Sequence, residues 1–167
     1  MTAPARPDVP GPGQESVWDY PRPPRVDPSS ESIEVWLGGE RVALTTRSWR
    51  VLETSHPPTY YLPLDAWVAG SLRSAEGRQT TCEWKGRADY FDVLGGGRVA
   101  PAAAWCYPEP LPGFEAIRDA VAVMPGAVDR CVVDGEEVKP QPGEFYGGWI
   151  TSRVVGPFKG APGTWGW

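Results

Sequence analysis

At 167 residues, with 41% apolar and 22% charged side chains, the chain can build one domain with a real core but not two of ordinary size. Sixteen basic residues stand against 21 acidic ones, a net charge of −5, and no basic cluster exists to displace counterions from phosphates, so nucleic acid is not an expected partner. No apolar run approaches the ~20 residues that span a bilayer, and the first twelve residues lack the apolar stretch of a secretory signal, so no membrane contact and a soluble, cytoplasmic chain are expected.

Twenty prolines, 20 glycines and nine tryptophans disfavour helix and suit turns, edge strands and half-buried pleated surfaces, so the fold is expected to be mainly β. Three cysteines, Cys82, Cys106 and Cys131, show no paired spacing. Neither a disulfide framework nor a zinc site is expected, and no metal or cofactor is inferred.

Taken in order, residues 1–30 hold eight prolines and read as an arm, with Trp18 and Tyr20 able to lie on a folded surface. Ile33, Val35 and Leu37 alternate with Glu34 and Trp36 as a half-buried strand does, and Gly38-Gly39 turns it into a second strand from Arg41 to Leu44. A similar hairpin is expected at Cys131 to Val138, where Asp134-Gly135 suits a turn with positive φ at both central residues. Between them, Trp49 to Glu53, Thr59 to Leu62, Thr80 to Trp84, Ala88 to Leu94 and Arg98 to Tyr107 read as strands. Phe114, Ile117 and Val121 fall at i, i+3 and i+7 behind Pro110 and Pro112, which predicts one short helix. The Gly/Pro/Trp-rich stretch 140–167 is expected to pack as an extension on a β domain spanning 31–139.

Three blocks carry a resemblance. They are Arg50-Val51-Leu52-Glu53-Thr54 with Pro57-Pro58-x-Tyr60-Tyr61-x-Pro63, then Thr81-Cys82-x-x-Lys85-Gly86-x-Ala88-x-Tyr90, and then Ala104-Trp105-x-Tyr107-Pro108-x-Pro110. In order and spacing they resemble the bacterial domain-of-unknown-function family 427. The resemblance implies two antiparallel sheets leaning together as a β-tent, here without the zinc cysteines found in some proteins of that architecture. The family pattern often has proline after the motif cysteine, where this chain has Glu83. The sequence also lacks the Gly-Ser and paired aspartates that would hold two metals for nucleotidyl transfer.

The same blocks supply the candidate site. Glu53 ends an apolar strand, as a general acid or base at a sheet rim would, and Lys85 is the expected counter-cation; a purely structural contact is the alternative. Cys82 is core filler, pocket lining or a nucleophile activated by Lys85, whereas Cys106 and Cys131 read as filler. His56, the only histidine, would complete a Cys-His-Glu triad only if the fold brought it to Cys82. Tyr60, Tyr90, Trp105 and Tyr107 are surplus rings that fill a core or converge on a flat or cationic ligand. The leading expectation is an inter-sheet pocket of Glu53, Tyr60, Cys82, Lys85, Tyr90, Trp105 and Tyr107 that binds a small organic molecule. The alternatives are an enzyme using Glu53 and Lys85 as acid and base or Cys82 as nucleophile, and an interaction module, with self-association through the Trp-rich tails.

Overall fold

The structure is a computed structural model and describes residues 5–167; the first four residues of the expected arm lie outside the described residues. The strands are β1 (Glu15–Ser16), β2 (Arg25–Ser29), β3 (Ile33–Leu37), β4 (Glu40–Thr45), β5 (Ser48–Leu52), β6 (Thr59–Pro63), β7 (Leu72–Cys82) and β8 (Gly86–Gly95). There follow β9 (Arg98–Cys106), β10 (Ala120–Val123), β11 (Arg130–Val133), β12 (Glu136–Glu137), β13 (Lys139–Pro140), β14 (Trp149–Ile150) and β15 (Val154–Val155). Helical structure among the described residues is confined to four single 3-10 turns.

Seven strands pair antiparallel in the order β2-β5-β6-β10-β9-β8-β7, and four more in the order β12-β11-β3-β4. Both expected hairpins form: β3 returns as β4 through Gly38-Gly39, and β11 returns as β12 through Asp134-Gly135. Both residues of each turn have positive φ, the conformation that matches the right-handed twist of the flanking strands. Pro28 lies in β2 at the edge of the large sheet, where its missing N–H interrupts no ladder.

The main core joins the two sheets. Ile33, Val35, Leu37, Val42, Cys131 and Val133 from the small sheet pack with Tyr60, Leu62, Val93, Ala104, Val121 and Val123 from the large one. Trp149 completes this layer, fully buried, tilted on Tyr60 at 5.0 Å between ring centres and donating from its indole to the Val123 carbonyl at 3.2 Å. A second cluster lies on the other face of the large sheet and contains Val51, Tyr61, Ala88, Tyr107, Ala120 and Ala122 beneath Phe114 and Ile117.

The expected helix is a correction. Only Glu115–Ile117 make a 3-10 turn, and the chain then enters β10. Phe114 and Ile117 do share one cluster, but Val121 points into the other. All four residues of β10 are buried, because a central strand covered on both faces needs apolar side chains at every position, and such a run can be misread as the continuation of a helical face.

The turn between β8 and β9 packs backbone to backbone against the turn between β3 and β4. A Cβ placed on Gly96 would lie 1.9 Å from the Gly38 carbonyl oxygen, and Gly96 has φ of +54°. Gly96→Ala should therefore combine a strained backbone with a clash against main chain, costing on the order of 2 kcal/mol or more. Urea unfolding reads this directly, and Gly97→Ala is the control: its Cβ meets nothing within 4 Å although its φ of +76° is equally demanding.

The N-terminal stretch is tied into the fold. β1 pairs parallel with β15, and Val17 and Tyr20 are buried with Leu52 and Val154. Trp18 donates its indole N–H to the Pro157 carbonyl at 2.9 Å and packs edge-on to Trp167.

Candidate functional site

Strand alternation divides the sequence-predicted residues. In β6, Tyr60 turns toward the small sheet, whereas Tyr61 turns to the outer face of the large sheet. The ladder sets Trp49 opposite Tyr61, Ala122 opposite Trp105, and Trp105 opposite Tyr90. A row of rings therefore crosses the outer face from β5 to β8. It is interrupted at β10 by the small Ala122, over which Trp105 donates its indole N–H to the Tyr61 hydroxyl at 3.3 Å. Tyr107 lies beside this row, 6.3 Å from Tyr61 between ring centres, and Tyr90 shares a 2.8 Å hydroxyl contact with Thr80. Cys82 and Trp84 pack on the same cluster.

Two corrections follow. Cys82, Tyr90, Trp105 and Tyr107 do gather on one surface, but it is the outer face of the large sheet and not a pocket between sheets, whose interior is filled by the main core. Tyr60 does not join them; it is buried on the other side, with its hydroxyl donating to Glu31 at 2.8 Å. Tyr61, its neighbour in sequence, takes the place expected of it.

The pairing of Glu53 with Lys85 is also corrected. Glu53 meets Arg22 at 3.3 Å and His56 at 3.5 Å, while Lys85 has no carboxylate within 4 Å among the described residues. Its ammonium instead stands 5.7 Å from the centre of the Tyr107 ring. Arg22 reaches Glu53 from the proline-rich arm and also donates to the Thr54 carbonyl at 2.9 Å.

His56 is held on both sides. The amide of the buried Gln141 is oriented by backbone: its oxygen accepts from the Gly148 N–H at 3.1 Å, and its nitrogen donates to the Lys159 carbonyl at 2.8 Å. That nitrogen also lies 3.0 Å from His56 Nδ1, so Nδ1 must accept and the ring proton belongs on Nε2, which faces Glu53. With both nitrogens engaged, and Cys82 packed in the sheet-face cluster, a Cys82-His56-Glu53 triad is not assembled. Burial, opposed by Glu53 but reinforced by Lys159, Arg22 and Lys85, pushes the His56 pKa down to about 4.

The sign of the resulting pH dependence is definite. The fold favours neutral imidazole, so the unfolded chain binds more protons between about pH 4 and 6.5. The stabilisation is complete above the unfolded value and lost as pH falls toward the folded one. Between pH 7 and 4.5 the wild type should lose up to about 3 kcal/mol more unfolding free energy than His56→Gln, measured by urea titration at both pH values.

The remaining thiols are held in the protonated form. Burial, with Asp89 and Asp119 adding to it, pushes Cys106 up to about 11, and burial alone raises the fully buried Cys131 further. Among the described residues, no three His, Cys, Asp or Glu side chains lie together as metal ligands would. No helix among them is long and apolar enough to cross a membrane.

A cleft of about 500 Å³ opens elsewhere, lined by Gln14, Glu31, Asp134, Glu136, Ser152 and Arg153 among others. Its acids are already engaged. Glu31 accepts from Ser29, Tyr60 and Arg153, Asp134 from the Ser32 N–H, and Glu136 from the backbone and hydroxyl of Ser152. These contacts make it a seam between the N-terminal stretch, the β11–β12 turn and the C-terminal segment.

The sequence reasoning also missed the contribution of the C-terminal segment. Gly147 rides so close to Trp105 that a Cβ there would meet the indole ring at 2.4 Å. Tyr146 then packs edge-on to His56 at 4.7 Å, and the Lys159 ammonium stands 5.6 Å from the Tyr146 ring. The close Gly147-Gly148 pair was the one available signal, since it lets the backbone approach a ring and a buried amide.

These features define a mainly β protein of antiparallel sheets, one of which carries an aromatic outer face bordered by charged groups. Residues 25–134 match the family model described as Domain of unknown function (DUF427), and the chain belongs to that family. No match was found among curated proteins.

Proposed function

We propose that the aromatic outer face of the large sheet binds a small, flat organic molecule, with Trp105 and Tyr90 offering ring surface, the buried Tyr107 supporting them from below, Cys82 lining it, and Lys85 and Glu53 at its border. In this reading the large and small sheets lean together as the sides of a β-tent, and the ligand lies outside them. The observation that carries the proposal is the half-buried state of Trp49, Trp84, Tyr90 and Trp105, rings from β5, β8, β9 and the β7–β8 turn that pack on one cluster. A β domain that used these rings only as core would bury them, as it buries Tyr60, Tyr61 and Trp149. Rings left half open beside one another offer stacking surface, and the Trp105 indole and Tyr90 hydroxyl offer orientation.

The test uses 2-naphthamide, a neutral planar probe, in equilibrium dialysis. The wild type should bind it saturably at one site, Trp105→Ala should weaken binding at least tenfold, and Trp36→Ala on the small sheet should not. Non-saturable uptake, or equal loss in the two variants, would refute the proposal.

A further inference from the structure

The chemical class of the ligand follows from the charges around the ring face, on the premise that this face is the binding surface. Glu53, Arg22, Lys159 and Lys85 are the charged groups that act on the neutral His56, whose ring packs on Tyr146, the neighbour of the Gly147 that touches Trp105. Glu53 is the one carboxylate among them and is committed to Arg22 and His56 at 3.3 and 3.5 Å. The Arg22 charge is thereby matched. Lys85 and Lys159 are not: among the described residues neither has a carboxylate within 4 Å.

The two ammonium groups are also held in place. Lys85 stands over Tyr107, two residues along β9's path from Trp105, and its backbone carbonyl accepts from the Leu111 N–H at 3.0 Å. Lys159 stands over Tyr146, whose neighbour Gly147 touches the Trp105 ring; its backbone N–H donates to the Ser55 carbonyl at 2.9 Å and its carbonyl accepts from Gln141. A ring face attracts a cation without neutralising it, so each ammonium keeps its full charge for a ligand. Consistent with this, Lys159, Arg22 and Lys85 all act to depress the protonation of His56.

We infer that the site takes a planar organic anion, with its ring on the Trp105 surface and its carboxylate, sulfonate or phosphate drawn to Lys85 and Lys159. A cationic or metal ligand is disfavoured by the same arrangement, because Glu53 is already spanned by Arg22 and His56. Neutral His56 contributes shape and holds Glu53 in place without adding charge.

The experiment compares 2-naphthoate with its neutral analogue 2-naphthamide, using the full chain near pH 7.5 and equilibrium dialysis. 2-Naphthoate should bind at least tenfold more tightly than 2-naphthamide. Lys85→Met and Lys159→Met should each erase several-fold of that preference, read as the ratio of the 2-naphthoate and 2-naphthamide affinities within the same variant. Lys85→Arg, which keeps the charge, should retain the preference, and raising salt should shrink it. If 2-naphthamide does not bind, the binding surface itself is wrong. If it binds and 2-naphthoate binds no tighter, or keeps its advantage in the Lys85→Met/Lys159→Met double variant, the anion assignment alone is overturned.

Discussion

Arg50→Met should destabilise the fold by at most about 3 kcal/mol, the lower end of what removing one partner of a buried ion pair costs, because the carboxylate left behind, Glu15, is only half-buried. Arg50 is only 3% exposed and lies in β5 beneath the N-terminal stretch. Its guanidinium bonds Glu15, reaches the Tyr20 hydroxyl at 3.3 Å and lies 6.0 Å from the Tyr60 ring centre. Tyr20 in turn donates to Glu15 at 2.6 Å. Burial works against the Glu15 carboxylate, but its bonds to Arg50 and Tyr20 outweigh this and hold its pKa below the ordinary value. The stabilisation is therefore present above the ordinary carboxylate range and lost as pH falls through the lowered value. The substitution leaves Glu15 with Tyr20 and the more distant Arg153 at 3.8 Å, which is why the lower end is expected. Urea unfolding measures the loss. Adding Glu15→Gln to Arg50→Met should recover part of it, and hydrogen exchange of the amides from Glu15 to Tyr20 should accelerate in the single variant.

Trp149→Ala should cost about 4 kcal/mol, the range for emptying a large aromatic site in a packed core. Trp149 is fully buried between the two sheets, its indole N–H is bonded to Val123, and it is the principal ring against Tyr60. Because its backbone N–H also donates to the Pro58 carbonyl at 2.8 Å, the cavity would open at the point where the C-terminal segment is anchored. Thermal unfolding should show the drop. Trp165→Ala, at a residue 64% exposed, should change stability by less than about 0.5 kcal/mol.

The hairpins were readable because turn chemistry and alternation agree there. Asp134-Gly135 and Gly38-Gly39 accept positive φ, and Ile33, Val35 and Leu37 present one buried face. β7 was readable only near its end. Its earlier residues, Arg73, Ser74, Glu76 and Arg78, are exposed on an edge strand, so no apolar alternation marks them. β10 failed for the opposite reason: a strand buried on both faces has no polar phase to read.

The candidate site was legible in its members more than in its geometry. Alternation places residues 105 and 107 of β9's path on one face without further information, and they do share it. Tyr60 and Tyr61 are adjacent and chemically alike, so only the pairing of Tyr61 with Trp49 decides which of them joins the outer face. The Arg22 partner of Glu53, and Tyr146 and Lys159 beside His56, come from Pro- and Gly-rich stretches whose irregular backbone carries no periodic signal. Their contacts are long-range, and nothing local in the sequence encodes them.

The most direct measurement is on the nine tryptophan indoles, whose N–H groups are separately visible in a ¹⁵N-correlated NMR spectrum. On titration with 2-naphthoate the Trp105 resonance should shift most, with Trp49 and Trp84 on the same face following. Trp149 in the main core and Trp36 on the small sheet should stay in place. Saturable shifts centred on Trp36 or Trp149, or no saturable shift at Trp105, would contradict the assignment of the outer aromatic face as the ligand site.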